Sequence, residues 1–277
     1  MFVGSGGHPP YGGTATNLAL LIKDHAGREV FGTDTIGAAA MKAIKRFIYR
    51  NWQRVHGVRR LELAVLTEYL GLERGRRILD VGSGKGAFCG ALSRAGHDVV
   101  GVDPSETAVG IAKTYVEREG KFVLGAGEAL PFSPGSFDRA VSVCVLEHTN
   151  DDARVLREVR RVLKPGGVFA LTVDCLDSPR VSESFRRRHR VEYRCNQLYS
   201  ETKLRELLAG AGFEILETRY LFAGRLSIAI LRFGSLFHYR SVFILLFPIL
   251  YPLLLLDHAI GGKRRSGMIL AAKARKI

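Results

Sequence analysis

The chain has 277 residues, 47% apolar and 25% charged, a balance that fits one folded α/β domain with a full core plus terminal or inserted pieces. Lys and Arg outnumber Asp and Glu by 41 to 27, a formal +14. Such a surplus points to an anionic partner (nucleic acid, an anionic membrane surface or an acidic substrate) without choosing among them. Cys89, Cys144, Cys175 and Cys195 are far apart with no CxxC pair, which argues against a zinc site and a disulfide framework. Three of them sit in apolar or helical runs, where a reduced thiol acts as a small hydrophobe, so a reducing, cytoplasmic setting is expected.

Residues 1–30 open Gly/Pro-rich (MFVGSGGHPPYGGTATN), lack the basic and apolar regions of a secretory signal, and read as a mobile arm. Residues 31–75 read as N-terminal helices forming a lid. Ile36, Ala40, Ile44, Phe47 and Ile48 recur at helical spacing, then Leu61, Ala64, Val65 and Leu66, before Gly71 and Gly75 end the region. From 77 to 175 short apolar runs alternate with helical segments, the pattern of βαβ units on a parallel sheet. Strands are predicted at Ile78–Val81, Asp98–Val102, Phe122–Leu124, Phe137–Cys144 and Val168–Val173. Helices are predicted at 86–95, 105–119 and 151–163, the last opened by a capping box from Thr149 to Asp152. A basic, irregular stretch follows 175, then a helix near 200–210, a strand at Phe213–Tyr220 and a closing strand at Met268–Ala272. The main domain is therefore 76–220 with 267–277, interrupted by 221–266.

The strongest local motif is Ile78-Leu79-Asp80-Val81-Gly82-Ser83-Gly84-Lys85-Gly86-Ala87-Phe88: a strand, a glycine loop and a helix start. Glycines let the backbone turn and a ligand approach, and free N–H groups at the helix start favour an anion. Asp103, followed by Pro104, ends the next strand, where a carboxylate accepts the two hydroxyls of a ribose. Gly82, Gly84 and Ala87 also satisfy the dinucleotide pattern, so this stretch alone leaves NAD open.

Three further segments occur in order: Gly127-Glu128-Ala129-Leu130-Pro131-Phe132, Gly135-Ser136-Phe137-Asp138 and Leu163-Lys164-Pro165-Gly166-Gly167. Together with the glycine loop they resemble the class I methyltransferases that use S-adenosylmethionine (SAM), in particular the ubiquinone/menaquinone-biosynthesis branch. The resemblance covers about 76–220 and the closing strand. It implies a Rossmann-like, seven-stranded α/β sheet with flanking helices. It also implies that Asp80, Gly82, Ser83, Gly84 and Gly86 hold the methionine end of SAM, and that Asp103 with Pro104 takes the ribose. Gly127 and Glu128 would lie along the adenine, and Cys144 would border the methyl group. Relatives carry an Asp where this chain has Ala126, so Glu128 or the backbone covers the adenine amino group here, or affinity is lower.

SAM brings an activated methyl group, so the protein aligns an acceptor and excludes water. Glu147 and His148, ending Val143-Cys144-Val145-Leu146-Glu147-His148, are the catalytic candidates, His148 as a proton acceptor. Around Phe185-Arg186-Arg187-Arg188-His189-Arg190, residues Arg187, Arg188, His189 and Tyr193 are candidates for gripping an anionic acceptor, against the plainer reading of a solvated basic loop. No metal is expected.

Val242–Leu256 is an uncharged apolar run that would span about 22 Å as a helix. That is short of the roughly 30 Å hydrocarbon core. Pro248 and Pro252 would bend it. With Arg225, Arg232, Arg240, Lys263, Arg264 and Arg265 nearby, an element peripheral to the inner face of an anionic membrane is expected. A buried helix pair or a homodimer interface is the plainer alternative. The leading expectation is methyl transfer to a lipophilic or lipid-linked acceptor, ahead of a soluble small-molecule acceptor such as a sugar or natural product. Nucleic acid ranks lower, because Cys144-Val145-Leu146-Glu147 stands where base-amino methyltransferases carry N/D-P-P-Y/F and no RNA-binding module is present. A non-catalytic partner subunit is opposed by the intact glycine loop and Asp103.

Overall fold

The computed structural model describes residues 40–44, 47, 57–71, 73, 75–116, 120–236, 249–257 and 265–277. The expected arm, most of the first helical stretch and residues 242–248 of the apolar run lie outside them. Five parallel strands form the body of the sheet: β1 (Arg77–Val81), β2 (Asp98–Asp103), β3 (Lys121–Leu124), β4 (Phe137–Val143) and β5 (Leu163–Asp174). β6 (Phe213–Leu221) and β7 (Ile269–Lys276) complete it, β7 lying antiparallel between β5 and β6. The order is β3-β2-β1-β4-β5-β7-β6. The chain builds outward from β1 to β3, crosses back through 125–136 and re-enters beside β1 as β4. That reversal makes the carboxyl ends of β1 and β4 the crevice where ligands bind in such sheets.

Side chains alternate across each strand and divide the core into two layers. Ile78, Val99, Phe122, Val141 and Ala170 face α1 (Gly57–Leu70), α2 (Ala87–Arg94) and α3 (Glu106–Val116). Leu79, Val100, Ala140 and Phe169 face α4 (Asp152–Val162) and α6 (Glu201–Gly210) on the other side. Both faces of the parallel strands are covered, which is why they read as apolar runs rather than as alternation. In α1, Leu61, Val65, Leu66, Tyr69 and Leu70 form the buried stripe, whereas Ala64, expected among them, is exposed.

Two expectations need correction. The basic stretch after 175 contains a regular helix, α5 (Glu183–Tyr193), whose start is capped by Ser182 accepting from Phe185 N–H. Arginine is a good helix former, and the run of arginines hides a period carried by the buried Phe185. The start of α4 is not a Thr149 capping box. Thr149 Oγ1 donates back to the Leu146 carbonyl at 2.9 Å, and Asp151 caps the helix by accepting from Arg154 N–H at 2.8 Å. The closing strand is also longer than expected, reaching Lys276.

Within 221–266, α7 (Arg225–Leu236) follows β6 directly, and 249–257 are helical. Leu254 and Ile228 are buried in the same core layer as α1. The Arg60 guanidinium stands 4.9 Å from the centre of the Tyr251 ring, a cation–π contact that ties the inserted segment to α1.

Candidate cofactor and acceptor site

β1 delivers Asp80 and Val81 to the crevice and then turns on Gly82. Gly82 and Ser83 N–H both donate to the Val102 carbonyl, at 2.8 and 3.0 Å, folding the loop against the end of β2. Glycine is required at Gly82, where φ is 73° and an added Cβ would stand 2.4 Å from Val145 Cγ2. At Gly86, with φ 78°, an added Cβ would meet the Phe122 ring at 2.5 Å. The loop therefore stays tight because β2, β3 and the turn after β4 all press on it.

Asp80 is fully buried, and its Oδ2 has no hydrogen-bond partner; the same holds for Ser83 Oγ. Burial, and then the neighbouring Asp103, push the Asp80 carboxyl up to about 7. A buried carboxylate oxygen without a partner is costly, so Asp80 is suited to a cationic ligand group. Asp103 accepts Gly84 N–H at 2.8 Å on Oδ2 and Ser105 N–H at 2.9 Å on Oδ1. Burial outweighs these bonds and raises its pKa. A carboxylate has about four lone-pair sites, so two remain for a ribose diol. The loop and both acids fit SAM: a buried carboxylate with one oxygen unpartnered for an ammonium, glycines for close approach, and an oriented acid for the ribose. Pro104 is exposed beyond Asp103; Gly127 and Glu128 form a turn, with the Glu128 carbonyl accepting Arg154 Nε–H at 2.8 Å.

The carboxyl ends of β4 and β5 carry a second polar group of a different kind. Cys144 stops β4 at φ 51°, a conformation that costs a non-glycine residue about 1 kcal/mol. Its N–H donates to the Thr172 carbonyl at 3.0 Å, and its Sγ–H donates to Glu62 Oε1 at 3.2 Å. Burial, then Glu62, push its thiol well up. Glu62 reaches this point from α1, fully buried, accepting Thr172 Oγ1–H at 3.1 Å and pairing with Arg59 at 2.9 Å.

Glu147 lies in a single 3₁₀ turn, Leu146–His148, and is fully buried. Its Oε1 accepts Asp174 N–H at 2.9 Å while Oε2 has no partner. Burial, then Asp174, push it up to about 8. His148 is half-buried, its Nδ1 3.5 Å from the Arg194 carbonyl, and burial lowers its pKa.

His189 and Tyr193 of α5 are brought together, ring centres 4.5 Å apart, and His189 Nε2 is 2.7 Å from Asp174 Oδ2. Arg187 and Arg188 are exposed. Arg186 turns inward, donating to the carbonyls of Leu176 at 2.9 Å and Ser178 at 3.3 Å, so the three arginines do not act as one anion grip. Asp174, Glu62 and Arg59 are the residues that sequence reasoning missed. Asp174 had a readable signal, an acid ending an apolar strand, as Asp80 and Asp103 do.

Residues 79–171 match the family model described as "Methyltransferase domain". They are a class I, SAM-dependent methyltransferase domain. The matched stretch runs from β1 into β5 and contains the glycine loop, Asp103 and Glu147, whereas α1, α5, β6, β7 and the inserted segment lie outside it. An uncharacterized methyltransferase of Mycobacterium sp. (strain JLS) is 42% identical over 100 residues, 35% of this chain and 38% of that protein. A ubiquinone biosynthesis O-methyltransferase of Methylococcus capsulatus is 33% identical over 153 residues, 51% of this chain and 64% of that one. The chain thus spans about two-fifths of the length of the first of these relatives. Among solved structures, phosphoethanolamine N-methyltransferase 2 of Haemonchus contortus, in complex with SAM, superimposes with a TM-score of 0.58. It is 22% identical and covers 78% of this chain and 52% of that one, a likeness in fold.

Proposed function

We propose that the protein moves the methyl group of SAM to a lipophilic or lipid-linked acceptor at the cytoplasmic face of an anionic membrane. The observation that carries the acceptor class is the outward face of helical residues 249–257, where Ile249 is 64% and Leu256 55% exposed beside Leu253 and Leu255. Exposed leucines clustered on one short helix are more typical of a membrane-surface or binding element than of an ordinary monomer surface. Leu226 on α7 is exposed too, and Arg225, Arg232 and Arg265 are exposed cations nearby in sequence. No described helix is long and apolar enough to cross a membrane, so the element is read as lying on the surface. The quinone-type relative supports a greasy acceptor.

When bound, SAM supplies a methyl group already activated by its sulfonium. Asp80 holds the ammonium of the cofactor, Asp103 the ribose, and Gly127 and Glu128 border the adenine. Cys144 and Glu147 line the acceptor side. His148, with its pKa lowered by burial, is neutral near pH 7 and free to accept a hydroxyl proton. Glu147 holds its own proton up to about pH 8 and so orients rather than accepts.

The second reading is a soluble small-molecule acceptor with the inserted segment as a pocket roof. It draws on the burial of Leu254 and on Asp257 Oδ2 accepting Ser227 N–H at 2.9 Å, both of which fold the segment back onto the domain. Vesicle co-sedimentation at low salt separates the two. Binding to vesicles containing anionic lipid should fall at least fivefold in an Ile249→Asp/Leu256→Asp variant, and labelled methyl should enter the lipid extract. Equal sedimentation of both proteins, with label only in the aqueous extract, selects the soluble reading.

A further inference from the structure

Asp174, His189 and Cys195 come from the end of β5, the middle of α5 and the turn behind it. One donor atom of each nonetheless lies within 4.8 Å of the other two. His189 Nε2 is 2.7 Å and Cys195 Sγ 3.7 Å from the same oxygen, Asp174 Oδ2. A second trio shares Asp174, with Cys144 and Glu147 donor atoms inside the same 4.8 Å limit. Glu147 Oε2 is the fully buried oxygen that has no partner. We propose that Asp174, His189 and Cys195 hold one divalent ion of the zinc type. This site is independent of the methyl-transfer reading.

The charge balance favours a cation here. Glu62, Glu147 and Asp174 are packed together, faced by Arg59 and by the two imidazoles of His148 and His189. A divalent ion offsets the negative charge of these acids. On binding, Cys195 loses its thiol proton to solvent, and His189 ligates as the neutral imidazole.

The donor set selects the metal. Imidazole, thiolate and carboxylate together suit zinc, whereas magnesium and calcium take oxygen alone. Bonds of about 2.0–2.3 Å in a tetrahedron place donors roughly 3.3–3.8 Å apart. The Cys195–Asp174 separation already matches, and the His189–Asp174 contact opens by less than about 1 Å as its shared proton leaves. Sequence spacing argued against zinc because it searches for paired cysteines, and these donors stand on separate elements.

The test uses the full chain, stripped with a chelator and titrated with cobalt(II) and then zinc(II). One equivalent of cobalt should give a near-ultraviolet thiolate-to-cobalt band that zinc abolishes, and zinc should raise the Tm. Cys195→Ser should lose the band, and His189→Gln should bind at least tenfold more weakly. Cys89→Ala, a buried thiol on the cofactor side, should keep it. If Cys195→Ser does not fold, His189→Gln decides by the same titration. Absence of the band in the wild type, its survival in Cys195→Ser, or unchanged affinity in His189→Gln overturns the site and leaves a plain Asp174–His189 pair. None of these readouts depends on methyl transfer.

Discussion

The cofactor edge and the acceptor edge of the sheet both bury carboxyl groups, but from different spans of chain. Asp80, the glycine loop and Asp103 come from one stretch, 78–103, and are held by backbone N–H groups of the same loop. Glu62, Cys144, Glu147, Asp174 and His189 come from five elements and are held by one another. The first edge keeps one buried carboxylate oxygen, Asp80 Oδ2, without a partner. The second is a polar network that already carries much of its own pairing and helps fasten α1 and α5 to the sheet.

The sharpest way to break this contrast is at Asp80. Asp80→Ala should weaken SAM binding in calorimetry by about 2–3 kcal/mol, on the order of 100-fold, with little loss of stability. A fall in Tm with unchanged affinity would make Asp80 a structural acid. At the other edge, Glu62→Ala should leave Thr172 and Cys144 without their buried acceptor and cost about 1.5–3 kcal/mol in urea unfolding. Affinity for SAM should hardly move, because the lesion lies on the acceptor side.

Gly82→Ala tests the point where the two edges touch. It combines a left-handed residue with a clash against Val145, and should cost about 1–3 kcal/mol of stability together with cofactor affinity. Adding Val145→Ala should recover the part due to the clash and none due to φ.

A further test is graded by pH. Asp80 is raised to about 7 in the folded chain from a usual 3.8, so between pH about 4 and 7 the native state binds a proton that the unfolded state has released. Stability of the ligand-free protein should therefore fall as pH rises through that window. Affinity for SAM should run the other way, dropping about tenfold per unit below pH 7, because a carboxylate is needed to hold the ammonium. A flat affinity profile from pH 5 to 8 would remove Asp80 from the ligand.

The same contrast explains what could be read from sequence. The glycine loop and the acid after β2 were legible because their chemistry is contiguous and their glycines are set by local backbone geometry. The parallel body of the sheet followed from the βαβ rhythm, whereas strand order and the antiparallel closing strand are fixed by tertiary pairing. The acceptor side was only partly legible. Glu62 lies in an amphipathic helix, where a glutamate ordinarily faces water, and only tertiary packing turns it inward. His189 was singled out for its basic neighbours, yet what defines its place is Asp174, fifteen residues earlier in the chain.

The last pair of strands has a consequence for how such a protein changes over time. Leu221, the final residue of β6, pairs with Ile269, the first of β7, and Met268 N–H donates to the Leu221 carbonyl at 3.1 Å. The chain thus departs and returns through one doorway, fixed by the sheet whatever lies between. Doubling the length of such an excursion costs only about 0.6 kcal/mol in closure entropy. Selection can therefore vary the length of the excursion freely, provided the residues that it packs into the core beside α1, such as Ile228 and Leu254, are kept or matched.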